Sequence, residues 1–243
     1  MSAATRPRSN SGAALAAAAL ALTAGGAHAQ AYQCRPPAGV PRLVPERPDA
    51  ARLQTPIAGY TLALSWAPEF CRTRAGDPAH GLECSGAMGR FGFVLHGLWP
   101  QGARASPQWC RRVPPPAPAL VRQQLCRTPS VALIGREWAK HGSCMAREPA
   151  TYFKIADILF DSVRYPAMER LSRQPAVTAG ALRQALAEVN RGRPAESFGL
   201  RLSRSGWLQE VVVCMDRKFL PRRCPAWQTG PRDAAPIRIW RGL

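Results

Sequence analysis

YTLALSW, Tyr60 to Trp66, alternates large apolar side chains with small or polar ones and reads as a half-buried strand. FGFVLHGL, Phe91 to Leu98, is a more continuous apolar run and reads as a second, more buried strand. Upstream, Gln30 to Pro56 is rich in Pro and Arg without clear periodicity, which predicts an extended arm tied down by Cys34. Pro100 to Pro118 reads as loop, interrupted by Pro114-Pro115-Pro116; its arginines either line a groove or face water. From Ser130 the pattern becomes helical. Ser130 caps a helix running through Cys144, Thr151 caps Tyr152 to Tyr165, and Thr178 caps Ala181 to Asn190. Strand patterns return at Phe198 to Leu202, Trp207 to Met215 and Ile237 to Trp240. Strands, then helices, then strands without regular alternation predict a single α+β domain whose central sheet is mainly antiparallel.

The N-terminus carries Arg6 and Arg8, an Ala/Leu stretch from Ala13 to Thr23, and Ala27-His28-Ala29. A basic start, a short apolar core and an A-x-A site form the pattern of a cleaved export signal at 1–29, followed by the arm at 30–56 and a single domain at 57–243. The apolar stretch is shorter than the roughly 20 residues that span a bilayer. The exported chain is therefore expected in the periplasm or the medium, without a membrane span. Its eight cysteines, an even number, favour disulfides over thiols or metal.

The 243-residue chain carries a formal charge of +18, and loss of Arg6 and Arg8 leaves +16. Such a charge attracts polyanions, although Arg-rich composition throughout the chain accounts for some of it. Of the four histidines, His28 lies in the export signal; His80, His96 and His141 remain. His96 ends an apolar strand in FVLHGLWP. His141 belongs to REWAKHGSC, where Glu137, Lys140 and His141 stand at i, i+3 and i+4 and share one face of a helix. Lys140 is one of only three lysines, with Lys154 and Lys218. It offers a compact point charge where the composition otherwise uses arginine.

Two imidazoles that titrate near neutral pH and a cation suit the cleavage of RNA, which carries its own 2′-hydroxyl nucleophile. One imidazole takes the hydroxyl proton, the other protonates the leaving oxygen, and the cation stabilises the charge that develops. The scheme requires no metal or other cofactor, and DNA is expected to be inert. Two other readings compete: a basic RNA-binding module without turnover, and a metal-dependent phosphodiesterase using His80 with Asp77 and Cys84. For the latter the candidate ligands are few and scattered.

FVLHGLWP and EWAKHGSC resemble the two active-site segments of the ribonuclease T2 family of secreted endoribonucleases. YTLALSWAPEFC, Tyr60 to Cys71, resembles the family's first strand, and LQEVVVCMD with Cys224-Pro225 resembles its last strand and disulfide. The resemblance implies a metal-independent enzyme acting on single-stranded RNA through a 2′,3′-cyclic phosphate to 3′-phosphate ends. It implies His96 and His141 as the acid–base pair, with His141 the usual base, and Glu137 and Lys140 as transition-state support. It implies bridges Cys71–Cys84, Cys110–Cys144 and Cys214–Cys224, which leaves Cys34 and Cys126. Trp99 matches a base-stacking position, or packs on the strand it follows. Arg136 stands where relatives place a phosphate-binding histidine, and Gln101 replaces an acidic base-selecting residue. A monomer is expected.

Overall fold

A computed structural model describes residues 1–2 and 31–242. The expected export signal, apart from Met1 and Ser2, lies outside the described residues. The described strands are β1 (Ala31–Tyr32), β2 (Ile57–Trp66), β3 (Arg90–Phe91), β4 (Phe93–Gly102), β5 (Val177–Thr178), β6 (Phe198–Leu202), β7 (Leu208–Met215) and β8 (Pro236–Ile237). Four form the central sheet in the order β4-β2-β7-β6, with every neighbouring pair antiparallel. Two-stranded pairs β1–β3 and β5–β8 flank it.

Side-chain alternation divides this sheet into two faces. Leu62, Leu64, Val211 and Val213 enter the main core with Phe93, Leu95 and Leu98, against helical residues such as Ile134, Tyr152, Phe160 and Leu186. Ala63, Val212 and the Cys214–Cys224 bridge lie on the opposite face beneath Trp99. Ser65 and Glu210, paired across β2 and β7, continue this second face.

The helices differ from expectation in two places. Ser130 does cap the helix Val131–Glu137, accepting from Leu133 N–H at 3.3 Å. Instead of continuing as α-helix through Cys144, the chain widens into a π-turn at Trp138–Gly142 before Ser143–Met145. Thr151 is no cap, because the next helix begins at Pro149, whose missing N–H is tolerated in a first turn, and it ends at Asp161. Thr178 caps the helix Ala179–Val189 by accepting from Ala181 N–H at 3.1 Å. The region expected as Ile237 to Trp240 is reduced to β8 and a single bridge between Trp207 and Arg238.

The arm from residue 31 to Pro56 is extended and held at both ends. Cys34 is bonded to Cys126, 92 residues away, while Leu53 pairs with Gln108. Closing so long a loop in the unfolded chain is worth on the order of 4 kcal/mol in the chain-entropy picture. The other bridges are Cys71–Cys84, Cys110–Cys144 and Cys214–Cys224, and no described cysteine is free. The expected Pro100 to Pro118 loop is shorter, because β4 runs to Gly102 and a helix begins at Pro118; within it Arg111 donates to the carbonyls of Ser143, Ala146 and Arg147, so it closes the end of the helical segment. Among the described residues no helix is long and apolar enough to cross a membrane.

Candidate active site

His96 occupies an irregularity in its strand. Ala63 pairs with Gly97 and Leu64 with Leu95, so His96 is the extra residue of a bulge, a device that re-aims a side chain. The outer edge of β4 is closed at the same level. Leu95 N–H donates to Arg127 O at 2.7 Å, and Leu95 O accepts from the Thr128 hydroxyl at 2.7 Å. The buried Tyr152 hydroxyl both accepts from Leu98 N–H and donates to Leu98 O, each at 3.2 Å. These contacts satisfy backbone groups that an edge strand would otherwise expose.

The bulge delivers the His96 imidazole to the second face. Its Nδ1 lies 2.7 Å from Glu210 Oε1, and its Nε2 lies 3.9 Å from Glu137 Oε1. The Ser65 hydroxyl donates to the same Glu210 oxygen at 3.5 Å. Burial opposes charge on His96, but the hydrogen bond to Glu210 and the charges of Glu137, Glu210 and Glu83 outweigh it and hold the imidazole above its ordinary pKa. With Nδ1 committed to Glu210, Nε2 is the nitrogen left for a ligand. The side chain is 33% exposed.

Glu137, 4% exposed, accepts a 2.7 Å hydrogen bond from Trp99 Nε1. Burial pushes its carboxyl up to about 7 against the pull of His96 and Trp99. Room for this carboxyl exists because Gly97 has no side chain; a Cβ there would stand 2.0 Å from Glu137 Oε2. Gly97→Ala is therefore expected to displace the Glu137 carboxyl. A crystal structure of the variant would check this, and an unmoved Glu137 carboxyl would refute it.

The π-turn alters the single face expected for Glu137, Lys140 and His141, because its wider spacing rotates successive side chains less than an α-helix does. Glu137 and His141 face Trp99, whereas the Lys140 ammonium turns to Asp49 of the arm at 3.6 Å. The His141 ring centroid is 5.7 Å from that of Trp99, and the His96 ring stands edge-on to Trp99 at 5.0 Å. Both imidazoles thus border one indole. Burial, followed by Lys140, His96 and Arg136, lowers the His141 pKa to about 3, with Asp49 opposing. Among the described residues His141 Nδ1 is buried without a hydrogen-bond partner.

Trp99 is partly buried and packs on Ala63, Val212 and the Cys214–Cys224 bridge, so packing is part of its role. The Arg136 guanidinium, 36% exposed, is paired with Asp49. Gln101, 4% exposed, accepts from the Ser106 hydroxyl at 2.6 Å. His80 lies 3.7 Å from Asp77 and edge-on to Phe70, while Cys84 is spent in a disulfide. Among the described residues no three His, Cys, Asp or Glu side chains group as a metal site. The sequence reading missed Glu210, Asp49 and Tyr152. A carboxylate directly before the apolar run VVVCM was the available signal for Glu210; for the other two there was none.

The sequence pattern of the Ribonuclease T2 family matches residues 58–224, which carry His96, Glu137, Lys140, His141 and Glu210. The chain belongs to the ribonuclease T2 family. Among its ribonuclease T2 relatives, a probable ribonuclease of Haemophilus influenzae is 34% identical over 182 residues, 70% of this chain and 62% of that protein. A ribonuclease of Aeromonas hydrophila is 33% identical over 165 residues, 65% of this chain and 72% of the other. The chain thus spans less than two thirds of the length of the first of these. Solved structures share the fold: trichomaglin, described as an S-like ribonuclease, superposes with a TM-score of 0.57 at 21% identity, covering 75% of this chain and 97% of its own. A ribonuclease-related protein of Calystegia sepium gives 0.59 at 17% identity, covering 76% and 98%.

Proposed function

We propose that this ribonuclease T2 family member is an endoribonuclease that cleaves single-stranded RNA by two-histidine acid–base catalysis, without a metal. The observation that carries this reading is the opposite electrostatic setting of two imidazoles beside one indole. His96, ringed by Glu210, Glu137 and Glu83, favours its protonated form; His141, buried beside Lys140, favours its neutral form. Pairs of titratable groups pushed apart in this way suit an acid and a base working together.

In the first step neutral His141 takes the proton of the 2′-hydroxyl and the 2′-oxygen bonds to phosphorus. The bond from phosphorus to the 5′-oxygen breaks, and that oxygen receives the proton of His96. The product ends are a 2′,3′-cyclic phosphate and a free 5′-hydroxyl. Lys140 places positive charge near the non-bridging oxygens, and Glu137, held by Trp99 beside His96, supports the transition state by favouring the protonated imidazole. In the second step water gives a proton to His96 and bonds to phosphorus, the bond from phosphorus to the 2′-oxygen breaks, that oxygen receives the proton of His141, and a 3′-phosphate results.

The export motif and the disulfides support release to the periplasm or medium. The test is digestion of single-stranded RNA and matched DNA at pH 5 and 7 in excess EDTA, with mass analysis of the ends. Cleavage of RNA alone, leaving cyclic or 3′-phosphate ends, is expected. Binding of RNA without cutting would mean a non-catalytic module, and loss of cutting in EDTA would overturn the metal-free scheme.

A further inference from the structure

The N-terminal arm crosses the active-site helix and ends up at its cations. Leu43 lies over Gly135, where an added Cβ would stand 2.9 Å from Leu43 Cδ1, so the bare glycine is what lets the arm approach the helix. Farther along, Leu53 and Gln108 exchange two backbone hydrogen bonds at 3.0 and 2.9 Å, and Gln108 Nε2 donates to Ala51 O at 3.3 Å. The Thr55 hydroxyl donates to Ala105 O at 2.8 Å. Asp49 sits between these anchorages.

Three donors from two elements converge on the Asp49 carboxylate. Arg136 pairs with Oδ2, Trp109 Nε1 donates to Oδ1 at 3.0 Å, and Lys140 Nζ stands 3.6 Å from Oδ1. Trp109 is itself a built feature: 3% exposed, with a left-handed backbone (φ 52°), it donates its own N–H to Lys140 O at 2.7 Å. Trp109 therefore holds the main chain of Lys140 inside the π-turn, while the carboxylate it fixes holds the side chain. Arg136 and Trp109 keep the Asp49 carboxyl down at about 2, so the contact persists through the acid range in which the two histidines would work.

We infer that Asp49 is a positioning residue, a brace on the arm that sets the Lys140 ammonium beside the reacting phosphate and withholds Arg136 from the substrate. The inference rests on the two-histidine reading above for its catalytic consequence, but not for the placement of the side chains. A flexible lysine that must be found in one place at the transition state gains from such a brace, because preorganised charge costs no rearrangement when the reaction occurs. The effect belongs in kcat rather than in substrate affinity.

The experiment is a double-mutant cycle of Asp49→Asn and Lys140→Ala in the full chain, assayed on single-stranded poly(U) in EDTA, with a crystal structure of Asp49→Asn. Asp49→Asn is expected to lower kcat about tenfold with KM within about twofold, to add nothing on the Lys140→Ala background, and to be partly rescued by Asp49→Glu. Unchanged kcat with a lower KM, and tighter inhibition by inorganic phosphate, would overturn the brace and make Asp49 a competitor of substrate. An equal tenfold loss in the Lys140→Ala background would also overturn it. The crystal structure decides the bracing without turnover: released Lys140 and Arg136 side chains support it, and unmoved ones refute it. Wild-type protein that leaves RNA intact would instead remove the proposed function.

Discussion

His96→Ala and His141→Ala are each expected to lower kcat on single-stranded RNA by about 10²- to 10⁴-fold, the range that positioned acid–base groups supply. Neither ring is part of the apolar core: His96 lies on a bulge at the sheet's second face, and His141 in the π-turn with an unpaired Nδ1. Folding should therefore survive both changes, and a melting curve with all four disulfides intact would show it. A variant retaining near wild-type turnover would remove that histidine from the mechanism. The wild-type profile of kcat/KM against pH follows from the same settings. His141 must be neutral, so activity rises as pH rises through a pKa of about 3; His96 must be protonated, so activity falls as pH rises through a value above 6.5.

Glu210→Gln is expected to lower turnover on the order of 10²-fold at pH 7 and less at pH 5. The substitution keeps the shape of the side chain and an oxygen able to accept from His96 Nδ1, but it removes the negative charge 2.7 Å from that ring. Orienting carboxylates of this kind hold an imidazole in one tautomer and stabilise its charged form. Their loss lowers the pKa of His96, so the descending limb of the profile moves to lower pH, and neutral pH suffers first. Glu137 and Glu83 still act on His96, which limits the shift. A profile that drops uniformly at every pH would mean that Glu210 serves structure rather than the protonation of His96.

Much of the fold was legible because its signals are local. Alternation in Tyr60–Trp66, the apolar run before His96, and the capping residues Ser130 and Thr178 each act through neighbours within a few positions. Thr151 misled because a proline two residues earlier offered an equally good start to the helix. The π-turn was not legible. Its widened spacing accompanies Trp109 N–H reaching the Lys140 carbonyl from a loop some 30 positions upstream, and no periodicity carries that contact.

The candidate site divides in the same way. By itself, the sequence of this ribonuclease T2 family member determined the inventory: two histidines, one scarce lysine and one glutamate in two short segments, with cysteines enough to staple a single α+β domain. Tertiary structure alone decided the electrostatics. Glu210 lies 114 positions from His96 and Asp49 lies 91 from Lys140, yet the register of β7 against β2 and the course of the arm bring them to 2.7 Å and 3.6 Å. Charge interactions depend on distance through space and on burial, neither of which is written in neighbouring residues. For that reason the chain names two candidate histidines, and only the fold gives them opposite electrostatic settings.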